Sequence, residues 1–295
     1  MNSNGSSKPL LRQGWLRVLL FCIFYFILVA LSSVPLYFII RSVRGKDVNL
    51  SELINGDFFW LSIVIAAFTG LLAVFLFRKI IDRKTFISLG FDLADHISDA
   101  IAGFLLALAI LGVGTIILYF SGHLQWTDID FNGRELFIGF GMMLIIALYE
   151  EMVFRGYILN NLMDSFNKWV ALLVSALLFA AFHIDNPSIN IIPIINIFLA
   201  GILLGINYIY TKNLWFAILF HLGWNFFQGP ILGYKISGLN LPALLQTELK
   251  GDLLLTGGDF GFEGSVIDMA ITLIAILSLY GIYEKKYREK QAEIT

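Results

Sequence analysis

The chain has 295 residues, of which 58% are apolar and 14% are charged, whereas about 25% of residues are charged in an ordinary soluble domain. A soluble fold of this length has too little interior to hide so much apolar surface, so the composition predicts a protein that faces lipid. The balance of 22 acidic and 20 basic residues argues against a nucleic-acid partner. The single cysteine, Cys22, excludes an intramolecular disulfide and a cysteine-rich zinc site.

Eight apolar stretches follow one another along the chain, and a bilayer core requires about 20 apolar residues per helix. The first is too long for the core of a signal peptide and is expected to remain as a helix. The fifth is short and carries His183 near its end. In chain order the stretches cover residues 15–40, 58–78, 100–120, 136–160, 169–186, 190–210, 214–233 and 266–283. The sequence therefore predicts an all-α, polytopic membrane protein with about eight transmembrane helices.

The distribution of Lys and Arg predicts the orientation of these helices. With eight spans and an inner N-terminus, 14 of the 20 basic residues lie on the inner side and 6 on the outer side. Both termini are therefore expected in the cytoplasm, and the protein is expected in the plasma membrane if the host is a prokaryote. No connection is long enough for an independent soluble core, so residues 1–295 are interpreted as one transmembrane domain with polar tails at 1–14 and 285–295.

The fourth stretch carries three ionisable residues, each of which costs about 2.5–3.5 kcal/mol inside a spanning helix and so usually has a function. Glu150 and Glu151 are adjacent, and Arg155 follows Glu151 by four residues. Residues i and i+4 share a helix face, so Glu151 can pair with Arg155, while Glu150 points about 100° away. Glu150 is therefore the candidate general base, and the Glu151–Arg155 pair also has a structural interpretation as a clamp.

The fifth and seventh stretches each carry a polar motif with i, i+4 spacing. Phe179 can buttress the ring of His183, and His221 shares a helix face with Asn225. Asn225 could orient His221, or both could donate to a developing oxyanion. Taken alone, His183 can be a satisfied interior histidine, and the second pair can be an interhelical clamp. Counted from the cytoplasmic helix ends, these residues and Glu150 all lie within a core about 30 Å thick, so one cavity could hold them.

These side chains predict hydrolysis by an activated water, since no serine or cysteine lies near the motifs at the spacing of a nucleophile. Glu150 would take a proton from water, with His183 helping to hold that water. His221 and Asn225 would stabilise the tetrahedral oxyanion. Glu150, His183 and His221 are also an acceptable zinc ligand set with an open water position. The helical H-E-x-x-H signature is absent, so the sequence leaves the participation of a divalent metal open.

The glycine-rich segment 256–265 is interpreted as a compact turn. A phosphate-binding loop is the alternative, but no predicted strand precedes the segment. Ser265 is expected to cap the last helix, with Asp268 three residues later.

The polar motifs, in this order and on separate helices, resemble those of the CPBP family, which comprises CAAX proteases and bacteriocin-processing proteins and is also called Abi. They are Glu150-Glu151-x-x-x-Arg155, Phe179-x-x-x-His183 and His221-x-x-x-Asn225. The run Phe154-Arg155-Gly156-Tyr157 and the glycine-rich segment are similar to those of bacterial members. The motifs cover about residues 147–228, and the segment extends the likeness to 265. The first 130 residues match only in helix count and topology.

The resemblance implies an intramembrane peptidase, glutamic or metal-dependent, with eight helices and a core at about residues 130–284. The implied substrate is a peptide or a prenylated or otherwise lipid-associated membrane protein. The alternative function is a non-catalytic membrane scaffold or a bacteriocin self-immunity protein. A transporter is disfavoured because the first three helices offer almost no ionisable residues to line a pathway. The implied catalytic residues are Glu150, Glu151, His183, His221 and Asn225, and the implied supporting residues are Arg155 and Phe179.

Overall fold

The computed structural model describes residues 8–44 and 59–292, and helices account for 74% of these residues. Nine α-helices lie in the described part: α1 (Gly14–Arg44), α2 (Phe59–Leu76), α3 (Ile97–Phe120), α4 (Gly133–Glu151), α5 (Lys168–Ala181), α6 (Ile191–Thr211), α7 (Trp215–Phe226), α8 (Leu253–Thr256) and α9 (Val266–Ala292). One further α-helical turn, Asn160–Leu162, extends α4.

Three of these helices continue as π-helical segments, which occur often at functional sites. The segments are Phe77–Ile81 after α2, Met152–Leu159 after α4 and Phe227–Ile231 after α7. The segment after α4 begins directly after Glu151, and the segment after α7 begins two residues beyond Asn225. The helix geometry therefore changes next to two of the polar motifs.

Six helical stretches within the described residues are long and apolar enough to cross a membrane, which confirms a polytopic, all-α, integral membrane protein. The fifth and seventh apolar stretches of the sequence form shorter helices. Helix α5 has 14 residues, about 21 Å at 1.5 Å per residue, and ends at Ala181 instead of near residue 186. Pro187 disfavours helical backbone at Asn186, which explains part of this early end. The long stretches are Gly14–Val43, Trp60–Ile81, Ile97–Phe120, Gly133–Leu162, Ile191–Thr211 and Val266–Glu289.

The sequence did not predict a two-stranded antiparallel sheet, which joins two of the polar connections. Strand β1 (Leu124–Ile129) pairs with β2 (Leu245–Leu249), and the register shifts between Trp126 and Asp128. The two strands are more than 110 residues apart in sequence, so no short hairpin turn links them and the sequence gives no signal for their pairing. The expected cytoplasmic position of both termini would put this sheet on the outer side, and that orientation stays a prediction.

Small residues allow the helices that carry the polar motifs to approach their neighbours closely. A Cβ atom on Gly103 of α3 would collide with the carbonyl oxygen of Phe216 in α7. A Cβ atom on Gly201 of α6 would lie 2.9 Å from the Cα atom of Ala176 in α5. Small residues are typical of helix contacts in membranes, where close packing replaces the hydrophobic driving force.

A buried charge cluster ties α1 to the rest of the molecule. Asp82 is fully buried and accepts hydrogen bonds from Arg17 Nη1 at 3.2 Å and Arg78 Nη1 at 2.9 Å. Arg17 Nη2 also donates to Asp164 at 2.7 Å. Buried charges are unfavourable unless they are paired, so this cluster fixes where α1 and α2 meet the end of α4.

Candidate active site

The Glu151–Arg155 pair predicted from the sequence is present and completely buried. Arg155 Nη1 donates to Glu151 Oε1 at 2.8 Å, and Arg155 Nη2 donates to the carbonyl oxygen of Gly201 at 3.2 Å. The guanidinium carbon lies 4.5 Å from the ring centroid of Phe179, a cation–π contact. Arg155 therefore joins α4 to both α5 and α6.

Glu151 also orients a histidine, which the sequence did not reveal. His221 Nδ1 lies 2.9 Å from the same Oε1 atom that accepts from Arg155. A carboxylate only accepts, so His221 Nδ1 carries a hydrogen, and Nε2 points away from Glu151. The alternative in which Asn225 orients His221 is wrong, because Glu151 occupies that position.

His183 is held by its own helix. Its Nδ1 lies 2.7 Å from the carbonyl oxygen of Phe179, and the two rings are 4.6 Å apart between centroids. A carbonyl oxygen only accepts, so Nδ1 carries a hydrogen and the neutral ring has its lone pair on Nε2. The predicted buttressing of His183 by Phe179 is therefore present through both the backbone and the ring.

Glu150 lies close to both histidines. Its Oε2 atom is 3.9 Å from His183 Nε2 and 3.9 Å from His221 Nε2. Tyr149 donates its hydroxyl hydrogen to the other oxygen, Oε1, at 3.1 Å. Sequence reasoning missed Tyr149, although a hydroxyl directly before Glu150, at the end of the apolar run 142–148, was a signal.

Asn225 lies one helical turn after His221 and lines the same cavity. Its side chain is largely buried, yet its amide makes no hydrogen bond to another residue of the described part of the chain. A buried amide usually has partners, so this amide is available to a ligand.

These residues surround a cavity of about 200 Å³ between the helices. Apolar residues from four helices form much of its wall: Ile63, Met143, Ile146, Ile197, Leu203, Leu204 and Phe220. Polar residues that the sequence analysis did not select as catalytic residues also line it, including Asn196, Ser237, Glu263 and Asp268. Polar groups that converge in a largely apolar cavity are typical of a binding or catalytic site.

The carboxylate and imidazole groups at the centre have the chemistry of zinc ligands, but their arrangement does not fit a metal ion. Within residues 8–44 and 59–292, no group of three His, Cys, Asp or Glu side chains is close enough to hold one. The 3.9 Å between Glu150 Oε2 and each histidine Nε2 exceeds the roughly 3.4 Å between tetrahedral zinc ligands about 2.1 Å from the metal.

A family model described as Type II CAAX prenyl endopeptidase Rce1-like matches residues 132–227, a range that contains all seven candidate residues. Within this range the chain is similar to the type II CAAX prenyl endopeptidases. The chain is also 26% identical over 223 residues to a Bacillus subtilis (strain 168) protein named "Putative membrane peptidase YdiL". The alignment covers 73% of the chain and 87% of that relative. No solved structure matches the chain significantly.

The matched range ends before the glycine-rich segment and α9, so the expected family core at 130–284 stays a prediction. These two likenesses support a membrane protease in general terms. The catalytic roles of the individual residues are not established by the comparisons and follow below as a proposal.

Proposed function

We propose that the chain is an intramembrane endopeptidase that hydrolyses a peptide bond with a water molecule activated by Glu150. The observation that carries this proposal is the convergence of Glu150 Oε2 with the Nε2 atoms of His183 and His221, each at 3.9 Å. That distance is too long for a direct hydrogen bond and suits an intervening water. A water there could donate to Glu150 Oε2 and to His183 Nε2.

Glu150 is the general base in this proposal. His183 keeps its Nε2 lone pair because its Nδ1 hydrogen is engaged by Phe179, so it can accept a hydrogen bond from the water. Glu150 takes a proton from the water as the oxygen forms a bond to the carbonyl carbon of the substrate. The peptide C–N bond breaks when Glu150 returns this proton to the leaving nitrogen.

His221 and Asn225 stabilise the oxyanion in this proposal. His221 lies between the carboxylates of Glu150 and Glu151, so its ring can carry hydrogens on both nitrogens. Its Nε2–H then donates to the oxyanion, and the unpartnered amide of Asn225 supplies a second donor. Donors that are already positioned before the reaction stabilise developing charge without reorganisation, typically by about 10²–10³-fold in rate each.

The substrate in this proposal is a peptide segment of a membrane-associated or lipidated protein. The cavity lies among membrane helices, and Ile63, Ile146 and Leu203 give it an apolar wall. The matching family is described by its action on CAAX prenyl substrates, and such a wall would accept an apolar or prenylated segment.

The test compares wild-type protein with Glu150→Gln, both purified and reconstituted in lipid vesicles. Each is incubated with a diverse mixture of peptides, and newly formed N-termini are counted by mass spectrometry. We expect cleavage to fall by at least about 10²-fold in Glu150→Gln, because the general base is removed without a change of shape. The matched control is Glu135→Gln, which changes a carboxylate in the first turn of the same helix, outside the cavity.

If Glu150→Gln cleaves peptides as fast as wild-type protein at equal abundance, the hydrolytic mechanism is wrong. The non-catalytic scaffold or self-immunity protein would then be the better interpretation. Equal losses in Glu150→Gln and Glu135→Gln would indicate damage to the fold and would also count against a specific role for Glu150.

A further inference from the structure

The cavity that contains Glu150 has a second polar wall, which the proposed reaction does not use. Asn196 of α6, Glu263 of the loop before α9 and Asp268 of α9 form it. Together with Glu150, this wall brings three carboxylates to one cavity. No Lys or Arg is among the residues that line the cavity in the described part of the chain.

Glu263 is fixed as a hydrogen-bond acceptor by three donors. The backbone N–H and the hydroxyl of Ser237 both donate to Oε1, the hydroxyl at 2.7 Å, and Trp224 Nε1 donates to Oε2 at 3.2 Å. Donors on both oxygens favour the ionised carboxylate, because only that form accepts on every side. Glu263 therefore presents fixed hydrogen-bond acceptors beside the cavity, although burial raises the pKa of its carboxyl group.

Asp268 is a buried carboxylate without a cationic partner among the described residues. It is 4% exposed, and the one side-chain donor it receives there is Thr272 Oγ1, at 3.2 Å from Oδ1. Its backbone N–H donates to Ser265 Oγ at 3.0 Å, which confirms the predicted cap of α9. The N-terminus of a helix favours a negative charge, so the fold tolerates the carboxylate, but it provides no counter-ion.

Asn196 has a hydrogen-bond acceptor that no residue satisfies in the described part of the chain, which is independent evidence that this wall lacks a ligand. Its Nδ2 atom donates to the carbonyl oxygens of Glu263 and Ser265, both at 2.8 Å, so the orientation of the amide is fixed. Its Oδ1 atom is buried and has no hydrogen-bond partner, and the residue is 3% exposed. Buried acceptors normally have a donor, so the unpartnered oxygen points to a ligand that donates.

We infer that Asn196, Glu263 and Asp268 form a subsite for the cationic side chain of a Lys or Arg residue in the peptide substrate. A guanidinium or ammonium group offers several N–H donors and a positive charge, and this wall offers acceptors and two carboxyl groups that have no cationic partner among the described residues. This inference rests on the proposed peptidase function and adds the chemical class of one substrate residue. The subsite would seat that residue next to the bond presented to Glu150.

The test measures peptide binding to the full-length Glu150→Gln protein in detergent micelles, so that no turnover occurs. The probes are two fluorescein-labelled hexapeptide libraries that differ at one scanned position, which is Arg in one and its neutral isostere citrulline in the other. At one or more positions, we expect the Arg library to bind at least about tenfold more tightly. Adding Asp268→Asn should bring the ratio of the two dissociation constants, citrulline library to Arg library, close to one. Adding Asp259→Asn should leave that ratio unchanged.

Asp259→Asn is the matched control because Asp259 lies in the same loop, is exposed and pairs with Lys235 outside the cavity. Asp268→Glu keeps the carboxyl group and should keep the preference for Arg, which separates recognition from a folding defect. Equal binding of the two libraries at every position, or no binding of either, would overturn the subsite. So would an Arg preference that survives Asp268→Asn.

The two proposals can fail separately. Loss of the Arg preference would leave the peptidase function intact if wild-type protein still cleaves peptides and Glu150→Gln does not. An Arg preference that depends on Asp268, without any cleavage by wild-type protein, would remove the peptidase function and leave a binding site for a basic peptide.

Discussion

Glu151 is predicted to have two separable roles, as a clamp and as the residue that orients His221. Its Oε1 atom accepts from Arg155 Nη1 at 2.8 Å and lies 2.9 Å from His221 Nδ1, and Glu151 and Arg155 are at most 1% exposed. In Glu151→Leu, Arg155 becomes an unpaired buried cation, so we expect the free energy of unfolding to fall by about 3–5 kcal/mol. The lost acceptor for His221 should lower kcat by about 10²–10⁴-fold per folded molecule.

A double variant, Glu151→Leu with Arg155→Met, separates the two roles. Both charges are replaced by apolar side chains, so we expect most of the lost unfolding free energy to return. His221 Nδ1 still lacks its acceptor, so kcat should stay as low as in Glu151→Leu. Thermal unfolding in detergent micelles gives the stability, and cleavage of a peptide mixture per folded molecule gives the rate. If kcat recovers together with stability, Glu151 is only a clamp, and the orienting role is wrong.

Three other measurements test the site. Asn225→Leu should lower kcat by about 10²–10³-fold with little change in melting temperature, since the amide has no partner in the described structure; a higher KM with an unchanged kcat would contradict an oxyanion role. Tyr149→Phe should lower kcat by about tenfold, because Glu150 loses the donor at 3.1 Å, and unchanged kinetics would show that this hydrogen bond is dispensable. Treatment with a zinc chelator should leave cleavage intact, whereas a loss that added zinc reverses would show that a metal ion takes part.

Sequence alone determined the features that depend on composition or on neighbours within one helix. The apolar content required a membrane, and the long apolar stretches marked most of the helices. The Glu151–Arg155 and Phe179–His183 contacts followed from i, i+4 spacing, because helix geometry fixes which residues share a face. The cap of the last helix by Ser265 followed in the same way from local backbone geometry.

Tertiary structure decided every relation between helices. Glu151 and His221 are 70 residues apart, so their hydrogen bond depends on how α4 and α7 pack, and no local pattern distinguished it from the alternative with Asn225. The same packing decides that both histidines direct Nε2 toward Glu150, and it joins Asn196 of α6 to Asp268 of α9 in one cavity wall. The spacing of residues along the sequence specifies which side chains share a helix face. The depth and rotation of each helix relative to the others are set by close packing of side chains from distant segments.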